Sequence, residues 1–528
     1  MAASIQLIGL FVLIWAVCYF RLPKKAWLPI IGVWLLEMTF YPKLNALSLT
    51  ILWILYAAVA VLVLSSSLRR ATFMPAIMQK YRQVLPKITP TEQIAIEAGE
   101  VWWEGQLFQG KPRWKQLLAL PRPSFTAEEE AFIANQLNTL CKMIDDWNMA
   151  FNELQISEKI WNYLKQERFF GLEIDKKYGG YGFSPYAHSC IVSQIASRSA
   201  SVAISVMVPN SLGTAEFIQN YGTDEQRNYY LPKLARGEEI SAFGLTAPNA
   251  GSDATAINDQ GIVCKGIYEG KEVLGIRLNF SKRYLTLAPV ASVLTLAFKL
   301  VDPDHLLGDE KNLGITLCIV PLHLPGVEYG ERHSPLGLYF YNGPIRGSNV
   351  FVPVDFIIGG VENRGKGWYM LMEGLAVGRG LSLPAMSTGV SKIAYRMTGA
   401  YARVRQQFNM EIGKFEGIEE AMGKIGGYTY LCEATRYLTT SAIDQRIRPA
   451  LVTAITKYNL TEMARKVINE AMDVHAGRGI QMGPKNYLGL FYQAAPIGIT
   501  VEGANILTRN LIIFGQGAVR CHPYVRFE

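Results

Sequence analysis

Acidic residues are almost missing from the start of this chain. Up to Arg70, Glu37 stands alone against six basic residues (Arg21, Lys24, Lys25, Lys43, Arg69, Arg70). Two runs there hold no charge of either sign, the 19 residues Ala2–Phe20 and the 25 residues Leu44–Leu68. At 1.5 Å per residue each is long enough to cross a bilayer core. The intervening Ala26–Tyr41 is shorter and carries Glu37, so it is the weakest candidate for a span. No basic residue precedes the first run and no clean small-residue cleavage site follows it, which argues against a cleaved signal peptide.

Paired cysteines are also missing. Seven are scattered, an odd number without a C-x-x-C motif, which argues against a disulfide framework or a zinc site. Free thiols in a reducing compartment are the expected state. The formal charge of +8 is mostly N-terminal, because beyond Arg70 there are 46 basic and 43 acidic residues. No basic stripe of the kind that binds nucleic acid is visible. With three spans, the positive-inside rule places Arg21–Lys25 and Arg69–Arg70 on the cytoplasmic side, the Pro42–Lys43 turn outside, and the large body in the cytoplasm.

The sequence divides into a membrane anchor (1–70), a connector (71–125), a helical domain (126–238), a β domain (239–360) and a second helical domain (361–528). Thr126-Ala-Glu-Glu129 reads as a capping box, followed at helical spacing by Ile133, Leu137, Leu140 and Ile144. Short β-branched runs at Gly261–Cys264, Ser292–Phe298, Ile315–Val320 and Asn349–Val352 alternate with turn signals. The fold class expected is α+β, in the order α, β, α behind the anchor.

At the first α–β junction lies Phe243-Gly-Leu-Thr-Ala-Pro-Asn-Ala-Gly-Ser-Asp253. Hydroxyls at Thr246 and Ser252 and the small Ala250-Gly251 pair suit a loop that holds a phosphate or a flavin edge. The segment resembles the T-E-P-x-A-G-S-D signature of the acyl-CoA dehydrogenases. Other segments follow in that family's order: Tyr178-Gly-Gly180, Tyr221–Gln226, Lys282-Arg-Tyr-Leu-Thr286 (K-x-W-I-T), Gly378-Arg379, Arg405-Gln-Gln-Phe408 (R-x-x-F), Phe415–Ile418, Asp473–Gly479 (Q-x-x-G-G-x-G) and Val501-Glu-Gly503 with Arg509. The likeness runs from about residue 95 to 519 and is strongest to the membrane-associated long-chain members of bacteria. Ala247, Asn249 and Ile506 depart from the family pattern. The long bacterial members also continue beyond the point matching Glu528, so an accessory helical region is expected to be missing.

The resemblance implies an N-terminal helical domain, a central β-barrel or sandwich and a C-terminal four-helix bundle. It implies FAD, a fatty acyl-CoA substrate of medium to long chain, α,β-dehydrogenation to a trans-2-enoyl thioester as the first step of β-oxidation, and electron-transfer flavoprotein or another acceptor. Glu502 matches the family's catalytic base; a second subgroup carries its base at the position of Gly378. Phe243, Leu245, Thr246, Gly251, Ser252, Tyr284 and Thr286 are carried over as the flavin face, with Ala504 beside it. Arg405, Phe408, Asp473 and Gly477 are expected to reach the FAD of a neighbouring subunit, which implies a homo-oligomer. Ser252, Arg379 and Gly503 are expected on the substrate side. No metal is implied. The expected location is the bacterial inner membrane, with the catalytic part on the cytoplasmic face. Two rivals are an acyl-CoA oxidase on the same fold and a non-catalytic acyl-CoA-binding membrane scaffold.

Overall fold

A computed structural model describes residues 2–20, 22–40, 45–84, 88–211 and 213–521. Arg21, the Pro42–Lys43 turn, Leu44 and the His522–Pro523 pair lie outside the described residues. The chain forms two compact units, Met1–Thr89 and Pro90–Glu528.

The first unit holds the helices Ala2–Tyr19, Lys24–Phe40 and Ala46–Leu64, then the short helices Ser66–Ala71 and Met74–Val84. Ala46–Leu64 buries no residue, and by length and composition it could cross a membrane; Ala26–Phe40 is apolar but shorter. The second and third helices are joined by polar contacts: Tyr56 donates to the Leu28 carbonyl at 2.9 Å and the Trp53 indole N–H to Thr39 Oγ1 at 3.1 Å. Gly32 allows this approach, since a Cβ there would stand 2.8 Å from the Tyr56 hydroxyl. At the end of the third helix Arg69 turns back to donate to the carbonyls of Leu62 and Val63, which have no helical partner of their own.

In the second unit, part of the stretch read as a connector is packed against the body. The Trp368 indole N–H donates to the Thr91 carbonyl (2.9 Å), Glu373 accepts from the Gly99 amide (2.8 Å), and the Glu100 amide donates to the Arg448 carbonyl (2.7 Å). The first helical domain opens on the capping box at Thr126, with Glu129 Oε2 accepting from the Thr126 amide. Leu137, Leu140 and Ile144 are buried as their spacing predicts, through a π-helical turn at Ile133–Leu137. Ala200–Ser211 and Thr214–Tyr221 are as apolar as a membrane span but almost wholly buried, the core of this domain.

Seven strands form the β domain: β1 (Ser241–Gly244), β2 (Gln260–Tyr268), β3 (Lys271–Thr286), β4 (Val293–Val301), β5 (Asn312–Pro321), β6 (Val327–Tyr329) and β7 (Asn342–Pro353). One edge of β4 pairs antiparallel with β5. Its other edge is shared: β1 runs parallel along Val293–Leu296 and β2 along Lys299–Val301. The chain leaves the sheet between them, from Leu245 to Asp259. β4 is buried on both faces from Val293 to Phe298, a run whose one polar residue is Thr295. Leu294, Leu296 and Phe298 face the sheet's own core, whereas Val293 and Ala297 face the helices. Thr295 shares a hydrogen bond with Thr214 (2.7 Å) on the helical side.

The C-terminal part is built on Gly367–Val404, packed against Glu416–Asp444, Ala450–His475 and Gly489–Thr500. Glycines set two close crossings. A Cβ at Gly380 would meet Thr453 at 2.4 Å, and one at Gly389 would meet the Ser193 carbonyl at 2.2 Å.

Candidate active site

The first cluster is the loop between β1 and β2. Ala247 and Ala250 exchange backbone hydrogen bonds (3.0 and 3.1 Å), closing a tight turn over Pro248-Asn249. Its base is tied to β3: the Arg283 amide donates to the Thr246 carbonyl and the Arg283 guanidinium to the Pro248 carbonyl. Below it, Lys282 is fully buried and donates to Asp259 (2.5 Å) and to the Leu245 carbonyl (3.0 Å). Asp259 also accepts from the Ser281 amide (2.7 Å). A buried ion pair with its remaining valences filled holds both ends of the loop.

Above that base the surface is open. Gly251 and Ser252 are exposed, and a Cβ on Gly251 would meet nothing. Tyr284 is 60% exposed. It sits at φ +62°, where the β3–β7 ladder skips between Lys282 and Leu285. Such a backbone persists only when its neighbours impose it; here Asn342 donates to the Tyr284 carbonyl (3.1 Å) and lies 3.5 Å from the Thr286 hydroxyl. Phe243 stacks on Phe217, and with Leu245 packs towards Met370–Leu375 of the long helix.

The second cluster is the turn after Gly489–Thr500. Glu502 and Gly503 both have positive φ, +56° and +90°. Arg379 donates from Nε to the Glu502 carbonyl (2.8 Å). Lys457, fully buried, donates to the Gly503 carbonyl and to Asn505 (both 2.7 Å). Thr508 donates a second hydrogen bond to the Gly503 carbonyl (3.1 Å). Asn505, in turn, donates to Thr461 and Glu462. With its carbonyls so fixed, the turn presents the Glu502 side chain, whose Oε2 is buried without a partner among the described residues. Burial pushes this carboxyl up to about 7, against the opposing pull of Lys457 and Arg379. Burial also lowers Lys457 to about 8. Ala504 begins the next short helix, beside this turn.

The third cluster lies at the far end of the bundle. Gln406–Gln407 and Met410–Glu411 pair as a hairpin, and both tip residues, Phe408 and Asn409, have positive φ. That is the geometry of a two-residue type I′ turn. Phe408 is 91% exposed and Arg405 is exposed at the hairpin's base. Asp473 and Gly477 are exposed nearby, where Tyr401 stacks on His475 (4.3 Å) and Arg478 lies over Tyr401. Among the described residues, no hydrogen bond, ion pair or ring contact joins this cluster to the other two.

Sequence reasoning missed Lys457, Asn505, Thr508 and Asp259. Residues 365–515 match the family description "Acyl-CoA dehydrogenase, C-terminal domain" and residues 125–238 match "Acyl-CoA dehydrogenase, N-terminal domain". A 3-(aryl)acrylate reductase of Clostridium sporogenes is 30% identical over 326 residues, 62% of this chain and 81% of that one. The chain belongs to the acyl-CoA dehydrogenase family. It is a flavoenzyme oxidoreductase with FAD as its cofactor. A probable acyl-CoA dehydrogenase, FadE10 of Mycobacterium tuberculosis, is 28% identical over 404 residues, 74% of this chain and 58% of that one. The chain spans about three fifths of two curated relatives that it matches, 61% of one and 58% of the other. The fold is similar to that of butyryl-CoA dehydrogenase from Megasphaera elsdenii, with a TM-score of 0.65 at 22% identity over 75% of this chain and 99% of that one.

The first cluster fits a flat aromatic cofactor with a phosphate tail. It has an open glycine, free hydroxyls at Thr246 and Ser252, and an exposed aromatic ring at Tyr284. All seven cysteines are free, and no group of metal-ligating side chains occurs among the described residues.

Proposed function

We propose that this protein removes the α-proton and a β-hydride from an acyl-CoA, yielding the trans-2-enoyl thioester, with Glu502 as the base. The observation that carries the reading is the unpartnered, buried Oε2 of Glu502 with its carboxyl pushed up to about 7. A carboxylate of that strength is matched to proton abstraction near neutral pH. FAD would be held by Phe243–Ser252, Tyr284 and Thr286, and when bound it supplies the hydride acceptor that side chains cannot provide. Arg379 and Lys457 fix the carbonyls of the Glu502–Gly503 turn, so the carboxyl keeps its aim. Gly378 offers no acid at the other subgroup's base position.

The substrate is read as a medium- to long-chain fatty acyl-CoA and the reaction as the opening step of β-oxidation. Electrons would pass to electron-transfer flavoprotein or another acceptor. Arg405, Phe408, Asp473 and Gly477 are read as completing the FAD site of a second copy, which explains why they stand exposed and apart. The helices of the first unit are read as an anchor in a bacterial inner membrane, with the second unit on the cytoplasmic side. Bleaching of the flavin by a panel of acyl-CoAs tests the activity, and Glu502→Gln tests the base. Flavin reduction in that variant should fall by roughly 10²- to 10⁴-fold, the usual range for losing a positioned base, while FAD content and acyl-CoA binding survive. A wild-type rate in the variant would remove Glu502 from the role. Rapid reoxidation in air, with peroxide released, would favour the oxidase reading over the dehydrogenase.

A further inference from the structure

Between the first helical domain and the bundle lies a cavity of about 600 Å³. Gly374 and Val377 of the long helix form one wall. Arg379, which holds Glu502, follows five residues after Gly374, or about 7.5 Å along the helix. The cavity therefore lies along the helix that supplies Arg379, whose guanidinium holds the Glu502 carbonyl. Glu216 also feels the charge of Glu502, which puts the two groups within electrostatic range.

This space is lined by charged and polar groups as well as by apolar ones. Three carboxyl groups face it, those of Glu173, Glu216 and Glu373. Two have partners: Glu173 is bonded to His188 (2.5 Å), and Glu373 to Arg448 (2.7 Å) and the Gly99 amide. The Gln219 carboxamide accepts from the Asp175 amide and the Asn210 side chain from the Leu172 amide. Glu216 differs. Its Oε2 has no exposed surface and no hydrogen-bond partner among the described residues. Gly374 stands on the opposite wall, where a Cβ would press on the Phe217 ring (3.2 Å) and touch Glu216 Oε1 at 3.6 Å.

Resting on the acyl-CoA reading above, we infer that this cavity receives the distal part of the acyl group and that Glu216 hydrogen-bonds an uncharged polar substituent there, a hydroxyl above all. Burial pushes the Glu216 carboxyl well above the usual carboxylate range, which favours its neutral form, and the neighbouring Glu173 adds to that effect. A neutral carboxyl both donates and accepts, as a hydroxyl does. A plain alkyl tail would cover Glu216 and leave it unbonded, which is the penalty by which polar sites reject analogues lacking the matching group. A distal carboxylate would meet Arg446 and Arg448 as well as Glu173 and Glu373, and it offers Glu216 no donor.

The test compares kcat/KM for matched medium-length acyl-CoAs that are unsubstituted, ω-hydroxylated or ω-carboxylated, over a series of lengths. Wild-type protein should prefer the ω-hydroxy thioester of the right length by about 10- to 100-fold. Glu216→Leu should abolish that preference and improve use of the unsubstituted chain, whereas Glu216→Gln should retain most of it. FAD content reports whether each variant is folded, and the wild-type series decides the matter if Glu216→Leu is not. Equal or better use of unsubstituted chains at every length by wild-type protein overturns the inference and leaves the activity intact. A preference for the ω-carboxy series overturns it in favour of Arg446 at the cavity edge. A yellow protein that no acyl-CoA bleaches removes the parent reading, and this one with it.

Discussion

The burial that fits Glu502 to the proposed role of base also works against the folded state once the group ionises. Its carboxyl is held at about 7 in the fold, against an ordinary 4.5. The folded protein thus binds a proton over that interval which the unfolded chain has already released, and stability is lost as pH rises from about 4.5 to about 7. Above pH 7 the loss reaches up to about 3 kcal/mol. Glu502→Gln should therefore melt at a higher temperature than wild type at pH 8, with the gap closing at pH 4.5 and below. Activity runs the other way: flavin reduction by acyl-CoA should rise with pH to a plateau, with a midpoint near 7. A rate that falls through this range would speak against a carboxylate acting as base. Glu502 was legible as a candidate in the sequence through its V-E-G context, but the groups that fix its turn were not. Lys457 stands alone in a helical pattern, where a lysine normally marks a solvated face, and only the fold turns it inward to Gly503 and Asn505.

Elements were legible where burial is uniform. β4 and β5 announced themselves as β-branched runs because little of Val293–Phe298 or Ile315–Pro321 is exposed. What the pattern could not give was that β1 and β2 divide one edge of β4, since parallel pairing between distant segments leaves no periodic trace. Asp259 was invisible for the same reason. It reads as a turn residue until β3 brings Lys282 against it. Removing one partner leaves the other charge buried and bare, at about 3–5 kcal/mol. Asp259→Asn is expected to lower the melting temperature and to lose FAD on dilution, because the pair holds both ends of the loop proposed to carry the flavin. A smaller loss is expected when Lys282→Met is combined with Asp259→Leu, since neither charge is then stranded. Thermal melts with bound FAD measured after gel filtration would check both.

For the whole molecule, the boundary between the units falls at Thr89–Pro90, later than the charge pattern alone suggested. Full-length protein should sediment with membranes, resist a high-salt wash and come off in detergent, because apolar burial is not screened by salt. A chain beginning at Pro90 should be soluble and yellow. Recovery of the full-length protein in the soluble fraction without detergent would count against the anchor. If the Phe408 hairpin closes a second copy's site, Phe408→Ser should yield smaller assemblies that release FAD more readily at low protein concentration. Size-exclusion chromatography with light scattering would show it.

The shared edge of β4 has a further consequence, on the timescale of backbone opening. β1 ends on Leu296 and β2 begins on Lys299, so the strands meet the same neighbour about 10 Å apart at 3.3 Å per residue. The chain between them is a closed loop whose two feet stand on one strand and are clamped by one ion pair. Its tip can open without breaking a ladder hydrogen bond, while its feet can open only with the sheet. In hydrogen exchange, the amides of Gly251–Asp253 should therefore exchange early and those of Ala242–Gly244 last, in step with β4. Bound FAD should slow the first group and leave the second where it was.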